Sequence, residues 1–324
     1  MSFKVILSAV ALTTAWAAAP AAHAQAQYPE RPVQVVVPYV AGGPTDIAAR
    51  FVSEQLSKRL KQSFVVQNRG GAGGNIGAEV VARSAPDGYN LLVIGAAHAI
   101  NKSLYKKLSY DIQRDFVPVA LLSTAPMVLL ANPQFPASNV QQLVDYARKN
   151  PGRLNYASQG NGTAPHLTTE LLKVKTGVQM VHVPYKGSAQ SLADMVAGQV
   201  PVGFDSVVVG KQYSDSGRLK ALAVTTRQRS PVLPGVPTMA ESGFPSVEAS
   251  VWYAVVAPAG TPAAIVNMLN QQINEILNDP AARSTLLALG AEPAPMSTQA
   301  FDKFLRDEIA KWAEIVAASG AQVD

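Results

Sequence analysis

The sequence predicts an α/β protein of two domains, and three observations support this. The chain has 324 residues, which is long for a single hydrophobic core. From Gln34 onward, short apolar runs alternate with amphipathic helical patterns, which is typical of βαβ units whose strands are covered on both faces. The alternation stops at a long apolar passage, residues 116–133, and then resumes. We therefore predict two domains, each a mainly parallel sheet flanked by helices.

The first set of elements contains three strands, each followed by a helix. The strand segments are VQVVVPY, SFVVQN and LLVIG, and the helical patterns occupy residues 45–60, 75–83 and 99–105. The second set begins with a helix that Ser138 can cap and that extends to Lys149. It continues with the strand LNYAS, a helix at 163–175, the strand MVHVPY, a helix at 188–197, and the strands VGFDSVVV and ALAVTT.

Two long extended segments flank the second set, at residues 116–133 and 247–260. They indicate that the chain leaves one domain, builds another and returns to the first. We predict domain 1 at residues 28–125 plus 255–324, and domain 2 at residues 126–254. The C-terminal helices are expected to lie against domain 1, at residues 262–278, 281–289 and 298–318.

The first 24 residues have the pattern of a secretory signal peptide. Lys4 precedes an apolar run that begins at Val5, and Ala22-His23-Ala24 forms a small-residue cleavage site. The run is short for a membrane span of about 20 residues and has no stop-transfer flank. We expect an exported protein, cleaved after Ala24 or Ala26.

Composition excludes several classes of function. The chain has no cysteine, which rules out disulfides and thiolate metal sites. Its formal net charge is +5, which becomes 5 − 1 = +4 when Lys4 leaves with the leader. The cations are scattered along the chain, so the charge does not favour nucleic acid, although it attracts anions weakly.

Two glycine-rich turns join a strand to a helix, one in each predicted domain. The first contains Gly42, Gly43 and Pro44 and enters its helix through Thr45 and Asp46. The second turn supplies Ser158, Gly160, Asn161, Gly162 and Thr163. Free N–H groups and the helix dipole make such turns anion sites, and glycine lets a ligand reach the backbone. Together the turns could grip a carboxylate from both sides, whereas the first turn alone is better explained as a plain capped βα turn.

A nucleotide site is one competing interpretation. Gly71, Gly73 and Gly77 nearly match the dinucleotide fingerprint G-x-G-x-x-G. However, Ile76 stands at the third glycine position, and the following strand ends without an acidic residue for a ribose. We therefore expect no nucleotide and no other cofactor.

An enzyme active site is the other competing interpretation. His98, His166 and His182 have no metal-ligand spacing, and no Walker A or G-x-S-x-G motif is present in the sequence. No nucleophile with an adjacent base can be assembled from the sequence. Asp205 ends a short strand, where its carboxylate either faces the ligand crevice or caps a helix. We expect neither a metal nor catalysis.

Several long segments carry a family resemblance. They include YPERPVQVVVPYVAGGPTDIAAR, VVQNRGGAGGNIGAEVVARSAPDGYNLLVIGAAHAINKSLY, LNYASQGNGTAPHLTTELL and VHVPYKGSAQSLADMVAGQVPVGFD. In these segments the chain resembles the Bug family of periplasmic solute-binding receptors, the extracytoplasmic components of tripartite tricarboxylate transporters. The resemblance covers essentially the whole chain after the leader. It implies a two-domain, Venus-flytrap periplasmic binding protein that encloses its ligand between the lobes.

The resemblance also implies which residues bind the ligand. The resemblance implies that the carboxylate-gripping turns correspond to residues 39–46 and 158–163, and that VPYKG and the strand end FD would line the crevice on the second lobe. Where the family often has Thr or Ser, this chain has Ala96 and Ala97, and the missing hydroxyl would suit a less polar or aromatic acid. The expected set is Tyr39, Val40, Ala41, Gly42, Gly43, Thr45, Asp46, Ala97, His98, Ser158, Asn161, Gly162, Thr163, Lys186, Gly187 and Asp205.

These features predict a monomeric periplasmic protein that binds a small carboxylate and delivers it to integral-membrane transporter subunits. A ligand-presenting sensor for a membrane signalling receptor is the alternative, and a secreted α/β enzyme is a weaker one. The acid stays open among dicarboxylates, tricarboxylates, amino acids and aromatic acids. The glycine stretch at residues 70–74 is expected to let the helix from Asn75 pack closely.

Overall fold

The computed structural model describes residues 28–320, and the expected leader lies outside them. Within this range the chain forms the predicted α/β fold. Its strands are β1 (Val33–Val37), β2 (Phe64–Asn68), β3 (Asn90–Gly95), β4 (Phe116–Ala131), β5 (Leu154–Ser158), β6 (Met180–Pro184), β7 (Val202–Ser206), β8 (Lys220–Val224), β9 (Ser250–Pro258) and β10 (Glu292–Pro293). No helix in this range is long and apolar enough to cross a membrane.

The helices alternate with the strands over most of the chain. They are α1 (Pro44–Leu60), α2 (Asn75–Ala82), α3 (Ala96–Leu104), α4 (Val140–Lys149), α5 (Ala164–Thr176), α6 (Ser188–Val196), α7 (Val207–Asp215), α8 (Ala263–Asn278), α9 (Pro280–Ala288) and α10 (Thr298–Ser319). A 3₁₀ turn at Ala72–Gly74 precedes α2.

Two predicted elements are wrong in detail. The segment VGFDSVVV is not one strand, because α7 begins at Val207, directly after β7. The hydroxyl of Ser206 accepts a hydrogen bond from the N–H of Val209 at 3.4 Å, and this cap overrides the strand preference of the valines. Ser138 does not cap α4, since Asn139 is the N-cap and accepts from the N–H of Gln142 at 2.9 Å.

The strands form two parallel groups joined by an antiparallel centre, in the order β2-β1-β3-β9-β4-β7-β5-β6. β1 pairs in parallel with β2 and β3, and β5 pairs in parallel with β6 and β7. β4 pairs antiparallel with β7, β8, β9 and β10. The parallel groups come from the predicted βαβ units, and the antiparallel centre comes from the two passages of the chain between them.

β4 changes its partner half-way along its length. From Phe116 to Pro126 it pairs with β9, and from Met127 to Ala131 it pairs with β7 and β8. β1 and β3 run in the direction of β4, whereas β5 and β7 run against it. The carboxyl ends of both parallel groups therefore point towards the middle of β4. Since the two glycine-rich turns follow β1 and β5, the topology directs both of them to one crevice.

The C-terminal helix contacts both halves of the molecule. α10 packs against α3 and β4, as expected for domain 1, but it also packs against α5. An ion pair of 2.6 Å joins Lys175 to Glu314 across this second contact. At the centre of α10, Glu308 is 6% exposed and accepts the indole N–H groups of Trp252 and Trp312 at 2.8 and 3.0 Å. α10 thus lies against elements of the predicted domain 1, as expected, and contacts α5 of the predicted domain 2 in addition.

We predict that Glu308→Ala lowers the free energy of unfolding by about 2–6 kcal/mol. The substitution leaves two buried indole donors without an acceptor, and each such loss costs about 1–3 kcal/mol. Glu314→Ala is the matched control on the same helix, because it breaks an exposed ion pair whose value is at most about 1 kcal/mol. Urea unfolding followed by tryptophan fluorescence measures both. Equal effects of the two substitutions would contradict the role given to Glu308.

Candidate functional site

The first glycine-rich turn leaves the N-terminus of α1 without a side-chain cap in the described chain. Gly43 is the N-cap residue and Pro44 follows it as the first helical residue. Gly42 has φ +85°, whereas Gly43 has φ −79°, so only Gly42 needs glycine for its backbone conformation. A Cβ at Gly43 would meet only the carbonyl oxygen of Val40, at 3.8 Å. Val40 and Ala41 are exposed at the tip of the turn.

The carboxylate of Asp46 stabilises this turn by hydrogen bonds. One oxygen accepts hydrogen bonds from the N–H of Gly42 and from Nε of Arg50, both at 2.9 Å. The other oxygen accepts from Nδ2 of Asn68 at 2.9 Å. These partners, Arg50 first, lower the pKa of Asp46 to about 2. Both carboxylate oxygens are thus engaged inside the protein, as is the N–H of Gly42, and direct ligand contact by Asp46 stays a prediction.

Sequence reasoning did not single out Arg50 or Asn68. Asn68 ends β2 and lies 22 residues from Asp46, so no local pattern connects the two. Its amide also donates to the carbonyl oxygen of Tyr39 at 3.1 Å, which fixes the beginning of the turn. Thr45, the other predicted residue at this helix start, is buried at 8% exposure.

The second turn is braced by hydroxyl groups. Oγ of Ser158 accepts the N–H of Gly160 at 3.1 Å and lies 2.6 Å from Nε2 of His182. Thr163 is the N-cap residue of α5, but its hydroxyl donates to the carbonyl oxygen of Gly160 at 2.7 Å and makes no cap bond. In residues 28–320, the start of α5 is therefore as free of a side-chain cap as the start of α1. Asn161 is exposed at the tip of the turn.

Stacked rings of Tyr156, His182 and His166 pack beside the second turn. The ring centroids of His166 and His182 are 4.0 Å apart, and those of His182 and Tyr156 are 4.9 Å apart. Nδ1 of His166 accepts the N–H of Gly162 at 3.0 Å, which requires this nitrogen to be unprotonated. Burial lowers the pKa of His182 to about 4 and also lowers the pKa of His166. Both rings are therefore neutral supports at pH 7.

Asp205 forms hydrogen bonds with several turns of the second half. Its carboxylate accepts hydrogen bonds from Nε2 of Gln159 at 3.1 Å, from the hydroxyl of Ser188, and from the N–H of Ser206 at 2.7 Å. Burial raises the pKa of Asp205. Gln159 was not singled out from the sequence, yet its bond to Asp205 connects the second glycine-rich turn to the start of α6.

The other predicted residues of the second half lie just before α6. Gly187 is the N-cap residue of that helix, and a Cβ at this position would meet nothing within 4 Å. Lys186 precedes it with an exposed side chain. Lys186 and Gly187 directly precede Ser188, whose hydroxyl donates to Asp205. They therefore belong to a turn that Asp205 stabilises.

The predicted residues at the start of α3 have different environments. Ala97 is half-buried, whereas His98 is 1% exposed and its Nδ1 accepts the N–H of Gly95 at 3.3 Å. Burial lowers the pKa of His98 to about 4. Its ring packs edge-on against Tyr39, with centroids 6.0 Å apart. His98 thus supports the first turn from within the core, and its predicted contact with ligand stays a prediction.

The glycine stretch at residues 70–74 lies against α3 and the first turn. A Cβ at Gly73 would lie 2.7 Å from the hydroxyl oxygen of Tyr105, and one at Gly74 would lie 3.1 Å from that of Tyr39. Nδ2 of Asn101 donates to the carbonyl oxygen of Gly73 at 3.0 Å and to Oδ1 of Asn75 at 2.9 Å. The stretch thus packs closely against Tyr105 and Tyr39, and its role in the packing of α2 stays a prediction.

Two close approaches join the halves of the molecule at the crevice. A Cβ at Gly162, in the second turn, would lie 2.9 Å from Cδ2 of Leu104 at the end of α3. At the other side, a Cβ at Gly290 would lie 2.1 Å from Cγ2 of Val208 at the start of α7. The two halves of the molecule are therefore in contact at these two places in this structure.

A cavity of about 180 Å³ lies next to the first turn. Its walls come from α1, β4, β7, α7, β9 and the end of α9, and they include Pro44, Ile47, Ala125, Val208, Tyr253 and Leu289. The cavity thus begins at the residue that follows Gly43. Among the described residues, no group of three or more His, Cys, Asp or Glu side chains could hold a metal ion.

Comparison with known proteins identifies the family. Residues 48–321 match the family described as the tripartite tricarboxylate transporter family receptor. The chain belongs to this receptor family. It is 37% identical over 325 residues to Protein BugT of Bordetella pertussis, with 100% of both chains covered. The resemblance to the Bug receptors is thereby confirmed.

Solved structures of relatives share the fold of this receptor. The structure described as R. palustris Rpa4515 with adipate is 38% identical, covers 90% of this chain and 98% of that one, and has a TM-score of 0.74. MatC from Rhodopseudomonas palustris with bound malate is 35% identical, covers 89% of this chain and 100% of that one, and has a TM-score of 0.71. The predicted fold class is confirmed by this similarity.

The low pKa of His98 predicts how stability depends on pH. The folded state holds this pKa at about 4, below the ordinary value of 6.5, so the unfolded state binds the proton more readily. The contribution to the free energy of unfolding therefore falls as the pH falls from 6.5 to about 4, with a slope of up to about 1.4 kcal/mol per pH unit. His98→Asn keeps an acceptor for Gly95 and removes the titration. Urea unfolding from pH 4 to pH 8 should give a flatter profile for this variant, and equal slopes would contradict the assignment.

We predict that Thr163→Ala weakens carboxylate binding about three- to tenfold, because the second turn loses one neutral hydrogen bond. Thr163→Ser keeps the donor to the carbonyl oxygen of Gly160 and should bind like the wild type. Calorimetry with the acid that most stabilises the wild-type protein in a thermal-shift screen measures both variants. Equal losses in the two variants would show that the methyl group of Thr163 matters and the hydroxyl does not.

Proposed function

We propose that this receptor binds a small carboxylate between two lobes in the periplasm and delivers it to the membrane subunits of a tripartite tricarboxylate-type transporter. One observation carries the proposal. The uncapped starts of α1 and α5 follow strands whose carboxyl ends point at each other across the middle of β4. Each start offers main-chain N–H groups and the positive end of a helix dipole, and a carboxylate can accept from both.

The lobes in this proposal are residues 28–125 plus 255–324 and residues 126–254. The partner switch of β4 between Pro126 and Met127 supports the first boundary. β9 returns to β4 from Ser250 onward and supports a second boundary nearby. Both boundaries lie at the middle of the sheet, so we expect the lobes to move as bodies about it, with α10 and the two close approaches as the contacts that must adjust.

Closure follows from differential binding. A carboxylate held by only one turn stabilises the open and closed forms equally, whereas one held by both turns stabilises the closed form alone. Relatives with adipate and with malate show that a carboxylate suits this fold. The closed form then presents one fixed surface to the transporter. We expect a monomer that needs no metal or cofactor and has no catalytic activity.

Export is part of this proposal. The leader at residues 1–24, cleaved after Ala24 or Ala26, would deliver the chain to the periplasm. There the receptor meets its ligand before the membrane subunits do. The same closed surface could instead be read by a membrane signalling receptor, and transport measured in cells that lack this chain separates the two roles.

We predict that Gly43→Val abolishes carboxylate binding and leaves the fold intact. Gly43 has ordinary extended φ, and its Cβ would have room within the protein, so the substitution causes no backbone strain. The branched side chain would instead cover the N–H groups at the start of α1. Thermal-shift and calorimetric screens with succinate, malate, adipate and benzoate measure the loss.

Gly235→Val is the matched control for this substitution. Gly235 is exposed, its Cβ would meet nothing within 4 Å, and it lies far from the turn in sequence. This variant should bind like the wild type. A Gly43→Val protein with wild-type affinity would remove the start of α1 from the site, and a wild type that binds none of these acids would contradict the proposed function itself.

A further inference from the structure

The cavity beside the first turn differs in chemistry from the turns themselves. Among the described residues that line it, none carries a charge, and most are aliphatic. Ser206 is one polar residue of the wall, and its hydroxyl oxygen already accepts the N–H of Val209. Tyr253 adds a ring and a neutral hydroxyl, because burial raises the pKa of this phenol to about 12. A charged group placed in this cavity would find no counter-charge on its walls.

Exposed apolar side chains converge on the cavity from both halves. Ile47 is 39% exposed, Val208 is 40% exposed and Leu289 is 51% exposed. They belong to α1, to α7 and to the end of α9, which are far apart in sequence. Large exposed apolar side chains gathered at one place on a soluble protein usually mark a binding surface. Here they form the rim of a partly open cavity and not a flat patch.

The position of the cavity relates it to the proposed carboxylate site. It begins at Pro44, directly after Gly43, and extends along α1 as far as Ala48, which is about 6 Å at the helical rise. A ligand whose carboxylate accepts from the start of α1 therefore has the rest of its body at the mouth of the cavity. The inference in this section rests on the proposed function, because that function supplies the charged end of the ligand.

The volume of the cavity limits the size of the ligand group that it can hold. An apolar cavity of about 150 Å³ in another protein binds benzene, so about 180 Å³ accommodates a six-membered ring or a branched chain of similar size. Removing such a group from water favours binding.

The start of α3 also favours a ligand whose body is apolar. Gly95, at the end of β3, pairs with Tyr253 of the cavity wall, and α3 starts directly after it. The first helical residues there are Ala96 and Ala97, which offer no hydroxyl to a second polar group on the ligand. His98, the next residue, turns its Nδ1 back to the N–H of Gly95 and is buried.

We propose that this receptor is specific for a monocarboxylate with an apolar ring or branched apolar body, and that Ile47, Val208, Tyr253 and Leu289 bind this body. A dicarboxylate of similar length would bring its second charge into a cavity without a cation, and burying an unpaired carboxylate is strongly unfavourable. The turns bind the charged end of the ligand, and the cavity selects what is attached to it.

The test compares two classes of acid by calorimetry on the mature chain at pH 7. Benzoate and cyclohexanecarboxylate represent the apolar monocarboxylates, and succinate and adipate represent the dicarboxylates. We expect the first pair to bind at least tenfold more tightly. Binding of succinate or adipate that equals or exceeds that of benzoate overturns this inference and leaves the proposed function standing. If none of the four acids binds, the proposed function fails and this inference fails with it.

A charge introduced into the cavity wall gives an independent test. Leu289 caps the C-terminus of α9, where a cation is favourable, so Leu289→Lys should fold normally. The variant should bind benzoate at least tenfold more weakly and adipate at least tenfold more tightly than the wild type.

Val174→Lys is the matched control for that substitution. Val174 is 36% exposed in the last turn of α5, about 15 Å along the helix from the second glycine-rich turn. The control should keep the wild-type preference. If Leu289→Lys also keeps it, the cavity does not hold the ligand body and the inference is overturned.

Discussion

The architecture depends on one strand that exchanges its hydrogen-bonding partners. β4 belongs to the ladder of β9 up to Pro126 and to the ladders of β7 and β8 from Met127. Proline has no N–H group, so no backbone donor is left unpaired at the point of exchange. The next donor, the N–H of Met127, finds the hydroxyl of Thr225 at 3.1 Å. The two glycine-rich turns face one crevice because β1 and β5 run in opposite directions and end on the two sides of this point.

Each half of the crevice is organised by a carboxylate that faces inward. Asp46 binds Gly42, Arg50 and Asn68, and Asp205 binds donors from three consecutive turns. These side chains have the same sign of charge as the proposed ligand, and they are compatible with it because their oxygens are occupied by internal donors. Arg50 partly neutralises Asp46, and three internal donors bind the carboxylate of Asp205, whose pKa burial raises. The backbone N–H groups at the helix starts can then interact with an anion with little opposition.

Local sequence patterns were sufficient for most of the elements and for the two turns. LNYAS is β5 residue for residue, and the helix predicted at 188–197 is α6 to within one residue. The run of valines after Ser206 misled the prediction, because a cap at a strand end outweighs the strand preference of three residues. The turns could be found because their glycine and proline spacing is local.

The supports of the turns could not be predicted, since they come from distant segments. Gln159 lies 46 residues from Asp205, and Trp252 lies 56 residues from Glu308. The cavity could not be predicted from any local pattern, because its walls come from six separate elements. No periodicity in the sequence reports which side chains meet when those elements pack.

The uncapped starts of α1 and α5 have a consequence for the evolution of such receptors. Their donors belong to the main chain, so no substitution that preserves the backbone can remove them, apart from a change to proline or a side chain that covers them. The cavity wall consists of side chains, and any of them can change by a single mutation in its codon. If the helix starts bind the acid group as proposed, substitutions at Val208 or Leu289 can change which acid fits the cavity while the main-chain donors stay the same.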